Sequence, residues 1–166
     1  MIDIQDKTRI SNTRYLIIGC SHAGLAALEA IRLQDEKGAV TVVTREGSLP
    51  YSPTILPYVI SGEMDPEVIH LRDQAFFDRL DVIFRTASAV NRINPEEKWV
   101  SLESGEKIYY EKLLLATGAN AAIPSFPGIE TVPYRVVRTL EDALKLRQSI
   151  QTAKSAIVIG AGLIAM

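Results

Sequence analysis

The sequence predicts an α/β fold: a parallel sheet extended by an antiparallel meander, with a second α/β unit beginning near the C-terminal end. Three observations predict it. Residues 15–18 (YLII) form a short apolar run that enters the turn Gly19-Cys20-Ser21-His22-Ala23-Gly24 and is followed by a helical pattern and a β-branched run. Residues 88–116 alternate apolar segments with turn signals. Residues 155–159 (SAIVI) repeat the opening pattern by running into Gly160-Ala161-Gly162.

The run at 15–18 is apolar throughout, as a strand covered on both faces of a parallel sheet is. Beyond the turn, Leu25, Leu28 and Ile31 with Ala26, Ala27 and Ala30 give a helix one apolar face, and Gly38 stops it. Residues 39–43 (AVTVV) supply the next strand, completing a β-turn-α-β crossover. Ser52-Pro53 marks the N-cap and first position of a short helix ending before Gly62, with Pro57 inside it. Residues 75–80 read as the end of a helix leading into a third strand at 81–85. Asn94-Pro95 and Ser104-Gly105 then divide the segments 90–93, 99–102, 108–110 and 113–116 into a meander. Pro124, Pro127 and Pro133 make the following stretch a connection, and Thr139 caps a helix whose first turn holds Glu141 and Asp142. Residues 155–159 read as a new buried strand.

Overlaying residues 16–24 on 157–165 places Gly19 on Gly160, a spacing of 141. The expected organisation is a polar N-terminal tail over 1–13, a first domain segment over 14–122, a proline-rich connection over 123–138 and the truncated start of a second domain over 139–166. Composition excludes several classes. With 47% apolar residues and 18 Lys+Arg against 20 Asp+Glu, the chain is neither disordered nor a general binder of nucleic acid or anionic membrane. The first 13 residues lack the apolar core of a targeting signal, and no run approaches the roughly 20 residues of a membrane span. Cys20 stands alone, which excludes an internal disulfide and a cysteine-rich zinc site and points to a soluble cytoplasmic protein.

A dinucleotide-binding turn needs a glycine for its bend, a small residue where backbone meets pyrophosphate, and another where helix meets strand. Gly19, Ser21 and Gly24 fill these places, ahead of a helix N-terminus that favours anions. Ser21 narrows the approach and offers a hydroxyl. Glu46, 22 residues after Gly24, is the candidate for a ribose hydroxyl, and Arg45 beside it for a phosphate. Gly160, Gly162 and Ala165 match in the second copy. The competing reading is a tight turn in some other α/β fold. Cys20 is either a low-pKa thiol or a packed small residue, and His22 either leans toward a phosphate or faces solvent. His70 has no second histidine nearby for a metal, and Trp99, Tyr109 and Tyr110 read as packing residues. No residue is assigned as a catalytic acid, base or nucleophile, and no metal site is expected.

The motifs GCSHAG (19–24), LLLATGA (113–119) and VIGAGLIAM (158–166), in that order, resemble the FAD- and NAD(P)-dependent pyridine-nucleotide disulfide oxidoreductase superfamily over residues 14–166. LPYSPTILPYVISGE (49–63) is similar to the branch holding rubredoxin reductases, nitrite reductase large subunits, NADH oxidases and CoA-disulfide reductases. The resemblance implies a Rossmann-like FAD-binding domain, first segment only, followed by the start of a Rossmann NAD(P)-binding domain. It implies that Gly19, Ser21, Ala23 and Gly24 face the FAD pyrophosphate, with His22 beside them, that Glu46 holds the adenosine ribose, and that Val90 gives backbone to the adenine. Ala116, Thr117 and Gly118 would pass close to the flavin, Tyr51 and Tyr58 would border it, and Gly160 and Gly162 would serve NAD(P)H. Two departures matter. Thr54 stands where NADH oxidases and CoA-disulfide reductases keep a redox cysteine, and Pro53 and Tyr58 stand where ferredoxin-reductase-like members often carry Arg and Lys.

The expected function is that of the N-terminal portion of an FAD-dependent NAD(P)H oxidoreductase, passing electrons to a protein or small-molecule acceptor without a redox-active cysteine. This portion alone is expected to be inactive. The expected partner is an electron-acceptor protein or subunit, with a homodimer or a complex as the setting, and without nucleic acid or membrane. The alternatives are an FAD-binding electron-relay or structural subunit and a non-redox nucleotide-binding module.

Overall fold

The computed structural model describes residues 10–160, and the side chains from residue 11. Contacts divide the chain into two compact units, one holding the residues up to Ser52 together with His70–Ala119, the other Pro53–Ile69 together with those from Asn120.

The first unit is a six-stranded mixed sheet of β1 (Ile10–Ile18), β2 (Val40–Val43), β3 (Val82–Arg85), β4 (Val90–Asn94), β5 (Trp99–Leu102) and β6 (Lys107–Leu115), in the order β3-β2-β1-β6-β5-β4. β1 pairs in parallel with β2 and β6, and β2 with β3, whereas β4, β5 and β6 are antiparallel neighbours. The fold class read from the sequence, a parallel sheet with a meander, is the one present. Alternation along the strands splits the core. Ile17, Val40 and Val42 pack with Leu25 and Leu28 of α1 (His22–Gln34) and Phe76 and Phe77 of α3 (Gln74–Arg79). Leu16, Ile18 and Val43 pack on the other face with Val100, Leu102, Ile108 and Tyr110.

Several boundaries differ from expectation. β1 begins at Ile10, so residues 10–13, assigned to a tail, pair in parallel with residues 107–110. Polar Ser11, Asn12 and Thr13 hide this half, because the ladder there uses backbone groups. The segments 108–110 and 113–116 are one strand, since Glu111 and Lys112 are exposed and interrupt the apolar pattern without turning the chain. Ser52 directly precedes a 3-10 turn over Pro53–Ile55, and α2 (Leu56–Ser61) continues from it with Ile55 at its N-cap and Pro57 in its first turn, where proline is tolerated. Residues 155–159 are not a buried strand. They pair with no described strand, and Ile157 is 92% exposed. Apolar residues alone do not make a strand that lacks a neighbour to bond with.

Two charged groups tie elements of the first unit together. Arg32, 8% exposed near the end of α1, donates to the carbonyls of Leu80 (2.7 Å), Asp35 (3.1 Å), Gly38 (2.7 Å) and Asp81 (2.9 Å). It thereby joins the turn after α1 to the turn after α3. Arg85, the last residue of β3, donates twice to Glu106, which directly precedes β6, each bond 2.7 Å. In the second unit α2 packs against α4 (Leu140–Ile150), with Leu56, Val59, Leu140 and Ala143 buried. Thr139 and Asp142 form a reciprocal capping box at the start of α4.

A lysine at Arg32 keeps the charge and loses the planar fork. Arg32→Lys is therefore expected to lower unfolding stability by about 2 kcal/mol, seen as a lower urea midpoint at unchanged slope. At Asp142 burial favours the neutral acid, but hydrogen bonds from Thr139 and Arg138 outweigh it and hold the carboxyl below its ordinary 3.8. This contribution is complete above the unfolded-state value and is lost as pH falls through the lower folded-state value. Asp142→Asn is expected to remove that acid-side loss from a stability-versus-pH curve.

Candidate functional site

The parallel strands fix where the glycine turn lies. Ile18 is level with Val43 of β2 and Leu115 of β6, so the residues that follow β1, β2 and β6 emerge at one edge of the sheet. The Gly19 amide donates to the Val43 carbonyl and the Ala116 amide to the Ile18 carbonyl, both at 2.8 Å. Gly19 has φ +102°, and a Cβ there would lie 2.2 Å from the Ala116 carbonyl oxygen. Gly24 is in the first turn of α1, where a Cβ would lie 2.1 Å from the Gly19 carbonyl oxygen. Both glycines are thus required by backbone packed where a side chain would begin.

Ser21 is the N-cap of α1, in extended conformation and without a side-chain capping bond, and its carbonyl accepts the Leu25 amide at 2.9 Å. The amides of His22, Ala23 and Gly24 have no acceptor one turn earlier in the helix and lie at the positive end of its dipole. The side chains of His22 and Ala23 are exposed. The turn can therefore offer N–H groups to an anion through small side chains, as a phosphate cradle must. Cys20 is packed in the core beneath, and burial pushes its thiol up to about 12. It is a neutral packing residue at physiological pH.

The chain after β2 completes the edge. Thr44 donates its amide to the Arg85 carbonyl (2.9 Å), and Glu46 accepts at its carbonyl the amide of Ala87 (2.9 Å). The Glu46 amide donates to Thr44 Oγ1 at 3.3 Å. Its carboxylate accepts at Oε2 the hydroxyl of Tyr51, 2.5 Å away. Tyr51 is 5% exposed, and its bond to Glu46 is a partnership the sequence reading missed. The signal was an aromatic residue with a polar tip five positions after a carboxylate. Arg45 is exposed, and Val90 opens β4 two residues after Ser88, whose amide bonds the Thr44 carbonyl. Ala116 leaves β6 against Gly19, followed by exposed Thr117 and by Gly118 at φ +66°.

The first unit therefore gathers Gly19 to Gly24, Arg45, Glu46, Val90 and Ala116 to Gly118 into one fold. Gly160 (φ +120°), Thr54 and Tyr58 belong to the second unit, and Gly162 lies outside the described residues. Among the described residues no group of His, Cys, Asp and Glu is placed to hold a metal ion, and no helix is long and apolar enough to cross a membrane.

The family profile of the pyridine nucleotide-disulphide oxidoreductases matches residues 13–166. The chain belongs to that family. It is 54% identical over 157 residues to the NADH-dependent phenylglyoxylate dehydrogenase subunit epsilon of Aromatoleum evansii, covering 95% of this chain and 37% of that protein. It is 30% identical to a rubredoxin-NAD(+) reductase of Pseudomonas putida, covering 91% of this chain and 40% of the relative. The crystal structure of NADH:rubredoxin oxidoreductase from Clostridium acetobutylicum superposes with a TM-score of 0.83 at 28% identity, over 93% of this chain and 40% of that one. The chain thus spans about two fifths of the length of these family members. Its relatives include proteins named as NAD(+) reductases and an NADH oxidase of Methanocaldococcus jannaschii.

Gly19→Ala is expected to cost about 3 kcal/mol or more, because it adds a steric clash to an unfavourable φ. Gly105 has a similar φ (+86°) but nothing within 4 Å of its Cβ position. Gly105→Ala is expected to cost only about 1 kcal/mol, so thermal melts of the two variants separate crowding from conformation.

Proposed function

We propose that this chain is the FAD-holding part of an NAD(P)H-dependent oxidoreductase. The observation that carries the reading is the glycine turn at the head of α1 with Glu46 after the neighbouring strand β2, the arrangement a dinucleotide requires. The amides of residues 22–24 would receive the pyrophosphate, with the small side chains of Ser21 and Ala23 permitting approach. Glu46 would accept hydrogen bonds from the adenosine ribose, Arg45 would supply charge near a phosphate, and the backbone at Val90 would border the adenine. Ala116, Thr117 and Gly118 would let backbone pass close to the flavin. FAD supplies the hydride acceptor in such enzymes, and the protein orients it and tunes its surroundings. Gly160 and Gly162 would begin the turn that receives NAD(P)H.

The residues also bear on the electron path. Cys20 is the one cysteine of this chain, buried and held neutral, and Thr54 offers a hydroxyl where related oxidases carry a thiol. Neither side chain can act as a thiolate relay at neutral pH, which supports transfer from the flavin directly to an external acceptor. That acceptor would be a redox protein or a neighbouring subunit. A role inside a larger dehydrogenase is favoured by the relative at 54% identity, which is named as a subunit of one.

The full protein is expected to purify with flavin absorbance and to oxidise NADH or NADPH in the presence of an acceptor. A colourless protein that does not take up added FAD would remove the proposal and leave a non-redox nucleotide-binding module. Glu46→Gln is expected to weaken FAD binding about tenfold, measured by quenching of flavin fluorescence.

A further inference from the structure

Glu46 is half-buried beside the turn, yet its side chain is not free to turn between rotamers. Tyr51 Oη donates to Oε2 at 2.5 Å, and the phenol that does so is itself fixed. Its ring is buried at 5% exposure, and its backbone forms an isolated antiparallel bridge with His70. Within that bridge the Leu71 amide donates to the Pro50 carbonyl at 2.7 Å, which holds the tyrosine's segment against the chain at residue 70. The backbone of Glu46 is held as well, by Thr44 Oγ1 at its amide and Ala87 at its carbonyl. One carboxylate oxygen is thus engaged by a buried donor on a fixed frame. A carboxylate has about four lone-pair sites, so Oε1 keeps its capacity to accept hydroxyl groups.

We propose that Tyr51 is a positioning residue for recognition of the adenosine ribose, acting through Glu46 rather than by touching the ligand. This inference rests on the reading of Glu46 as the ribose acceptor and adds what sets its geometry. A glutamate on a solvent-facing loop loses several rotamers when it binds, and that loss weakens binding. Here Tyr51 has already ordered the side chain, so the ligand's hydroxyls meet an acceptor in place. The phenol donates to Oε2, which leaves Oε1 as the oxygen to define the site. On this reading Tyr51 serves the adenosine end, whereas the family resemblance implied a place at the flavin border.

The test uses the full protein freed of flavin, with ADP and 2′,3′-dideoxy-ADP as probes and affinities measured by calorimetry. The native protein is expected to prefer ADP by about tenfold or more, the worth of hydrogen bonds to a charged acceptor. Tyr51→Phe retains the ring and is expected to reduce that preference by about three- to tenfold, with little change for the dideoxy ligand. In the Glu46→Gln background, Tyr51→Phe is expected to add little, because its effect passes through the carboxylate. A loss of folded protein lowers both affinities together and leaves their ratio unchanged. An undiminished preference in Tyr51→Phe overturns the role of Tyr51 and leaves Glu46 as the ribose ligand. Equal binding of the two probes by the native protein overturns the Glu46 reading and the inference with it. A Tyr51→Phe protein that does not fold also overturns the inference, since the hydroxyl would then be a determinant of folding.

Discussion

The crowding of backbone around Gly19 is the constraint on which the site depends. Its amide is bonded to β2, the space beside its α-carbon is filled by the carbonyl of Ala116 leaving β6, and its own carbonyl fills the space beside Gly24. Three strand ends and a helix start are brought within contact distance at one residue. The direction in which α1 departs, and hence where its first amides point, follows from this packing more than from any side-chain bond. The bare N-cap at Ser21 is consistent with that, because the helix start is held by steric fit instead of by a capping oxygen.

The two faces of the sheet do different work. Ile17, Val40 and Val42 anchor the helices, whereas Leu16, Ile18 and Val43 anchor the antiparallel strands. A one-residue register slip in β1 would exchange these sets and misplace Gly19 at the same time. Polar groups then finish what apolar packing leaves loose. Arg32 donates to carbonyls at two turns and joins them, and Tyr51 donates to the carboxylate at the sheet edge.

The parts of this architecture legible in the sequence are those in which one residue type has one structural meaning. The apolar run at 15–18 and its glycine turn read correctly because a strand buried on both faces has no polar positions to confuse it. The first half of β1 escaped notice because Ser11, Asn12 and Thr13 contribute backbone bonds that no side-chain pattern records. β6 was divided because Glu111 and Lys112 face solvent in mid-strand. Residues 155–159 show the reverse error, since apolarity cannot report whether a neighbour is present. In the candidate site, Glu46 was singled out by its distance along the chain. Its pairing with Tyr51 was not, because the tyrosine is placed by the return of the chain at His70, a contact with no local signature.

The clasp between Arg85 and Glu106 bears on how such a chain assembles. β1 and β6 are adjacent in the sheet although Ile10 pairs with Lys107, 97 positions later, and the entropy of closing a loop grows with its length. The clasp joins residues only 21 apart and gathers the whole β4–β5 excursion into one closed loop. With α1 bridging β1 to β2 and the clasp bridging β3 to β6, the effective span that must be closed is far shorter than the sequence suggests. A part-buried, doubly bonded ion pair thus shortens the loop left to close for the central strand pairing, an effect on the route to the fold rather than on the finished site.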